Sequence, residues 1–164
     1  MKNNIINFIL FQSVWFVLIL SAAHLSYYGM TLGILLIILQ LMLAGNTPND
    51  WLIGLLALAA GFIHDSLLNY FNFISYNLVF IDKFSPIWIV GLWVSFALTI
   101  NHSLSWLKNK VVLQVFFGGI GGPLAYLAGQ KLGAIELTSD NTSYILIVSW
   151  AILTPLIFFF SNKR

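Results

Sequence analysis

Six apolar runs follow one another along this chain, and nothing else in it constrains the fold as strongly. They cover approximately Ile5 to His24, Tyr28 to Ala44, Trp51 to Tyr70, Pro86 to Leu107, Val111 to Ala134 and Tyr144 to Ser161. A hydrocarbon layer ~30 Å thick is crossed by about 20 helical residues. Inside that layer every backbone polar group must be satisfied within its own segment, so the runs are expected as helices. The expected fold is all-α: a polytopic membrane helical bundle of about six transmembrane helices. With 60% hydrophobic and 7% charged residues and a mean hydropathy of +0.93, an ordinary soluble domain is excluded. No linker and no internal repeat divides the chain, so residues 1–164 are read as a single integral membrane domain.

Lys2, Lys108, Lys110, Lys163 and Arg164 fall on one side of such a bundle and Lys83 and Lys131 on the other. Positive residues concentrate in the cytoplasm, so both termini are expected there. The same residues form no basic patch with interleaved aromatics, and nucleic acid is not an expected partner. The absence of cysteine excludes disulfides and thiolate chemistry. The N-terminus resembles a signal peptide through Lys2 and the Ser21-Ala22-Ala23 cluster, but its apolar core is long and further spans follow, so an uncleaved first helix is expected. The GNTPND stretch reads as a turn with Asp50 capping the third helix, and Pro86 as a helix start. The asparagine-rich segment from Asn69 to Asn77 is amphipathic enough to lie at an interface, with Trp51, Trp88 and Trp106 as interface anchors.

The fifth run carries GGIGGPLAYLAGQKLGA, with six glycines and a proline. Gly121, Ala125, Gly129 and Gly133 repeat every four residues, and Gly118 and Gly122 form a second pair. Small residues let helix backbones approach in lipid, where no hydrophobic force joins them. Gly118, Gly122, Pro123, Gly129 and Gly133 are therefore helix-packing candidates, with Pro123 expected to kink the helix or leave the Gly119 carbonyl free.

Polar residues within the runs form two levels. Asp65 is the acid placed deepest in a span, and an intramembrane acid marks a functional site by default. Gly54, Leu58, Gly61, Asp65 and Asn69 share a face of the third helix. Asp65 lies roughly 21 Å along its helix and Tyr126 roughly 20 Å along the fifth, so the two can meet. Asp65, His64 and Tyr126 are the candidate catalytic residues, with His24, Asn69, Gln130 and Lys131 as binding residues around them. At the second level Ser95, Thr99, His102, Ser103 and Trp106 share a face of the fourth helix, with Gln12 and Gln40 at similar depth. Bonding across helices is the expected role there, and His102 is the candidate binding residue.

The chain lacks HExxH, G-x-S-x-G, P-loop and dinucleotide motifs. His64 and its neighbour Asp65 project about 100° apart on a helix and make no ready chelate. No metal and no cofactor is expected.

The GxxHD pattern from Gly61 to Asp65, the run PIWIVGLWVSFALTINHSLSWL and above all GGIGGPLAYLAGQKLGA resemble a bacterial inner-membrane family, domain of unknown function 2878. The resemblance spans most of the chain and points to Asp65, Pro86, Trp88, Trp93, Gly122, Pro123, Tyr126, Gly129, Gly133 and Ala134. It implies a multi-pass helical bundle in the bacterial inner (cytoplasmic) membrane, no established activity, and a connection with membrane-lipid or fatty-acid modification. Membrane lipids are the expected partners, with a membrane-protein partner or a homo-oligomer also open. A small-solute binding or transport module and a structural subunit docking through its glycine stripe are the alternative functions.

Overall fold

The computed structural model describes residues 2–43 and 48–161. The Gly45-Asn46-Thr47 part of the expected turn, Ala44, Lys163 and Arg164 lie outside the described residues. Among the described residues six α-helices form: α1 (Lys2–Ala23), α2 (Tyr27–Leu43), α3 (Pro48–Tyr70), α4 (Ile87–Ala97), α5 (Val111–Lys131) and α6 (Thr142–Ser161). Four of them, α1, α3, α5 and α6, are long and apolar enough to cross a membrane, while α2 and α4 are shorter apolar helices. The outward surface is greasy. Leu55, Ile63, Val148 and Ile152 are 57–63% exposed, which suits acyl chains as solvent.

Helix α1 packs on α2 and α4, α3 on α4 and α6, and α5 above all on α6. One face of α5 explains the last pairing. A side chain at Gly118 would collide with Thr154 and the Trp150 carbonyl, and one at Gly122 with the Trp150 ring. These glycines therefore bring α5 onto α6 at close range. The other stripe behaves differently: Gly121 faces open space and Gly129 makes ordinary contacts with Ile19 and Ile135. Helix α5 runs through Pro123 without a break. Gly133 is not a packing residue, because it lies beyond the helix at φ +82° with nothing near its Cβ position. Its N–H bonds the Gln130 carbonyl and the Ala134 N–H bonds the Gly129 carbonyl, a left-handed termination that glycine adopts at least cost.

Two features depart from the sequence expectation. The fourth run is not one helix to Leu107: α4 ends at Ala97, followed by tight turns and a short 3-10 turn at Ser105–Leu107. Polar side chains intercept the backbone there. Asn7 Nδ2 donates to the Leu98 carbonyl at 3.0 Å, Thr99 Oγ1 to Phe96 at 2.6 Å, and the N–H groups of Thr99, Ile100 and His102 bond three residues back. The shared helical face proposed for Ser95, Thr99, His102, Ser103 and Trp106 therefore does not exist. The second departure is the asparagine-rich segment, which turns at Asn72 (φ 56°) and becomes a strand, β1 (Ile74–Tyr76). It pairs antiparallel with β2 (Ile135–Leu137), Tyr76 opposite Ile135, and its inward residues Ile74 and Tyr76 are buried.

Candidate functional site

The site grows from two glycines, each one helical turn before a polar residue. On α3, Gly61 leaves room for the Trp93 ring of α4. On α5, Gly122 leaves room for the Trp150 ring of α6. The two indoles stack between the helices, with centroids 4.3 Å apart and planes within 16°. Four residues further along each helix stand Asp65 and Tyr126, on the same faces as the glycines.

Asp65 is fully buried. Its Oδ1 accepts hydrogen bonds from Tyr126 Oη at 2.5 Å and Tyr76 Oη at 2.6 Å, and its Oδ2 from Trp93 Nε1 at 2.7 Å. His64 Nδ1 lies 3.3 Å from the same Oδ2, and His64 Nε2 is 2.9 Å from Ser149 Oγ. The side chains of His64 and Asp65 thus meet, although adjacent helical positions diverge. A tyrosine, a tryptophan and a second tyrosine all present hydrogens to one carboxyl group, the arrangement that an acceptor-only carboxylate satisfies. Burial holds the Tyr76 phenol, on β1, well above its usual range, and the Asp65 charge acts in the same direction.

Four elements converge on this carboxyl group. They are α3, the strand β1, α4 and α5, with α6 joined through His64. Tyr76 and Trp93 as partners of Asp65, and Ser149 as the partner of His64, escaped the sequence reading. Trp93 offered the one visible signal, a large indole in an apolar helix, whose N–H needs an acceptor when buried. Tyr76 gave none, because a three-residue strand leaves no periodicity to read.

The other expected site residues stand apart. His24 is exposed at the end of α1, and Gln130 and Lys131 are exposed at the end of α5. Asn69 Nδ2 holds the Phe84 carbonyl at 3.1 Å, fixing the loop before α4. At the opposite end, His102 Nε2 is 3.2 Å from Asp50 Oδ1, which also accepts from Asn101 Nδ2 at 2.8 Å. Asp50 is thus a second buried acid, tying α3 to the turns after α4. Gln40 and Ser95 exchange hydrogen bonds, Gln40 Nε2 to the Ser95 carbonyl at 3.0 Å and Ser95 Oγ to Gln40 Oε1 at 2.5 Å. Among the described residues no group of three or more His, Asp or Glu side chains could hold a metal ion.

Beside the Asp65 cluster lies a cavity of about 540 Å³ between α1 and α5, backed by α4 and α6. The apolar faces of Trp93, Tyr126 and Trp150 wall it on the cluster side, while Asp65 itself does not reach it. Exposed residues form the rim, with Phe8 and Phe16 from α1 and Phe117 and Leu124 from α5. Gly121, Ala125 and Gly129 line the α5 side, which gives that stripe its place: small residues here leave volume rather than admit a helix.

His64 stands between the Asp65 carboxyl group and the Ser149 hydroxyl. Acyl transfer at Ser149 would also call for free N–H donors for an oxyanion. The N–H groups around Ser149 are committed to the α6 ladder.

A family model described as "Protein of unknown function (DUF2878)" matches residues 4–156. No curated protein and no solved structure matches the chain.

Proposed function

Because this chain belongs to the DUF2878 family, whose function is unknown, we propose that it is a multi-pass protein of the bacterial inner membrane that binds a membrane lipid by its chain. The observation that carries this reading is the cavity between α1 and α5, apolar over nearly all its lining and rimmed by residues that would face acyl chains. Its volume lies within the roughly 300–1,000 Å³ of small-molecule sites. The distribution of lysines supports cytoplasmic termini. In this reading Asp65 is a positioning residue. It holds Tyr126 and Trp93 by their polar ends so that their rings present a fixed apolar wall to the lipid.

Gly121 provides the test, since a side chain there enters open space. Gly121→Trp should leave the fold intact and deplete the lipid that copurifies with the protein. An unchanged lipid complement in a folded Gly121→Trp protein would overturn the reading.

A second reading, acid–base chemistry on a membrane lipid outside this cavity, is favoured by one observation: His64 links Asp65 to Ser149. Its test is the lipid profile of a deletion strain complemented with Asp65→Asn. Full restoration by that variant removes the reading.

A further inference from the structure

The cavity differs at its two ends. At the end toward β2 it is lined by Trp88, Tyr126, Gly129 and Ile135, and the side-chain donors there are bonded elsewhere. Trp88 Nε1 donates to the Asn77 carbonyl at 2.8 Å, and the Trp93 and Tyr126 donors go to Asp65. A ligand at this end meets carbon.

Toward the α5 N-terminus the lining includes Gln12, Thr99, Ser103 and Thr154. Thr99 and Ser103 spend their hydroxyl hydrogens on Phe96 and on Asn7 Oδ1. Thr154 does not. It is 3% exposed and its Oγ1 has no hydrogen-bond partner among the described residues, although such a buried hydroxyl normally has one. Trp106, also in the lining, carries Lys110 Nζ 5.6 Å from its ring centroid, so a cation stands at this edge. Lys108 follows the same turn.

Resting on the lipid-binding reading above, we infer that the occupant is a single-chain amphiphile with an anionic head. The head sits at the Gln12–Thr154 end beside Lys110, and the chain terminus lies against Trp88 and Tyr126. A carboxylate or a phosphate at this end accepts from the Gln12 amide and faces a lysine charge, while the far end offers an acyl terminus no competing polar group. The volume suits one chain rather than a two-chain lipid.

The experiment uses the purified wild-type protein and octadecanoic acids carrying a photoreactive diazirine either at the chain terminus or near the carboxyl group. Cross-links displaceable by excess unlabelled acid are mapped by mass spectrometry. Terminal labels should react around Trp88, Tyr126 and Ile135, and head-proximal labels around Gln12, Ser103, Thr154 and Trp106. The reverse pattern would overturn the orientation and leave lipid binding standing. No displaceable cross-link in the cavity would count against both.

Competition with the terminal label separates head groups. Octadecanoic acid or octadecyl phosphate should compete better than octadecanol, and the stronger of the two anions names the head. Equal competition by the alcohol would overturn the anionic assignment. Lys110→Gln should weaken the anions by up to about fivefold, the size of an exposed charge pair, and leave the alcohol unchanged. An equal effect on all three would overturn the role of Lys110.

Discussion

Asp65 Oδ1 and Tyr126 Oη meet at 2.5 Å across 61 residues of sequence, and the same oxygen accepts Tyr76 at 2.6 Å. Two phenols on one oxygen make the carboxyl group the junction of α3, α5 and β1. Asp65→Asn keeps one acceptor but turns an amide N–H₂ toward other donors, a mismatch expected to cost about 1–3 kcal/mol. Asp65→Leu leaves all of these donors without an acceptor and should cost more. Thermal unfolding in detergent measures both, and a neutral Asp65→Leu would contradict the junction.

Tyr76→Phe and Tyr126→Phe each remove one donor and should each cost about 0.5–1.5 kcal/mol. Sharing an oxygen makes their effects non-additive, so the double variant should depart from the sum by about 0.5 kcal/mol or more. Strict additivity would mean that the phenols do not share Asp65.

Alkaline titration gives a further check. The Tyr76 phenol is held above its usual range by burial in the folded protein. Its contribution to stability is therefore fully present below the unfolded value of about 10 and is lost as pH rises toward the folded value. Unfolding followed from pH 8 to 11 should show stability falling at the alkaline end, and Tyr76→Phe should flatten that fall. An unchanged slope would contradict the assignment.

The glycines on and just after α5 separate by environment. Gly118→Ala presses a methyl group into the Trp150 carbonyl and Thr154, and overpacking of this kind costs about 1–3 kcal/mol. Gly121→Ala meets nothing and should be neutral or stabilising by up to about 1 kcal/mol through helix propensity. Gly133→Ala forces a methyl-bearing residue to φ +82° at a cost of about 1–2 kcal/mol. Melting temperatures in the order Gly121→Ala above Gly133→Ala and Gly118→Ala are expected, and the reverse order would remove the distinction between environments.

How far the sequence reveals this arrangement depends on the range of the interaction. The six apolar helices are visible because length and hydropathy are local. The depth match of Asp65 and Tyr126 is visible because helical rise is constant, and counting 1.5 Å per residue places both at one level. What stays hidden is non-local. Nothing in Thr99-Ile100-Asn101-His102 announces that Asn7, more than 90 residues away, will take the Leu98 carbonyl and help end α4. The stripe of Gly121, Ala125 and Gly129 has the spacing of a packing motif, and only the position of α1 turns it into a cavity wall. Depth alone groups His24 and Lys131 with Asp65, and depth says nothing of which way around the helix a side chain projects; Gln130 shares the face of Tyr126 but lies one turn further on, exposed at the end of α5.

On the proposed function, a lipid chain occupies the space between α1 and α5. The most direct measurement is an experimental density map of the protein reconstituted in a lipid bilayer. Elongated density entering past Phe16 and Leu124 and ending against Tyr126 and Trp88 is expected. Helices α1 and α5 closed on each other, with Phe16 packed on Leu124 and no chain between them, would contradict it.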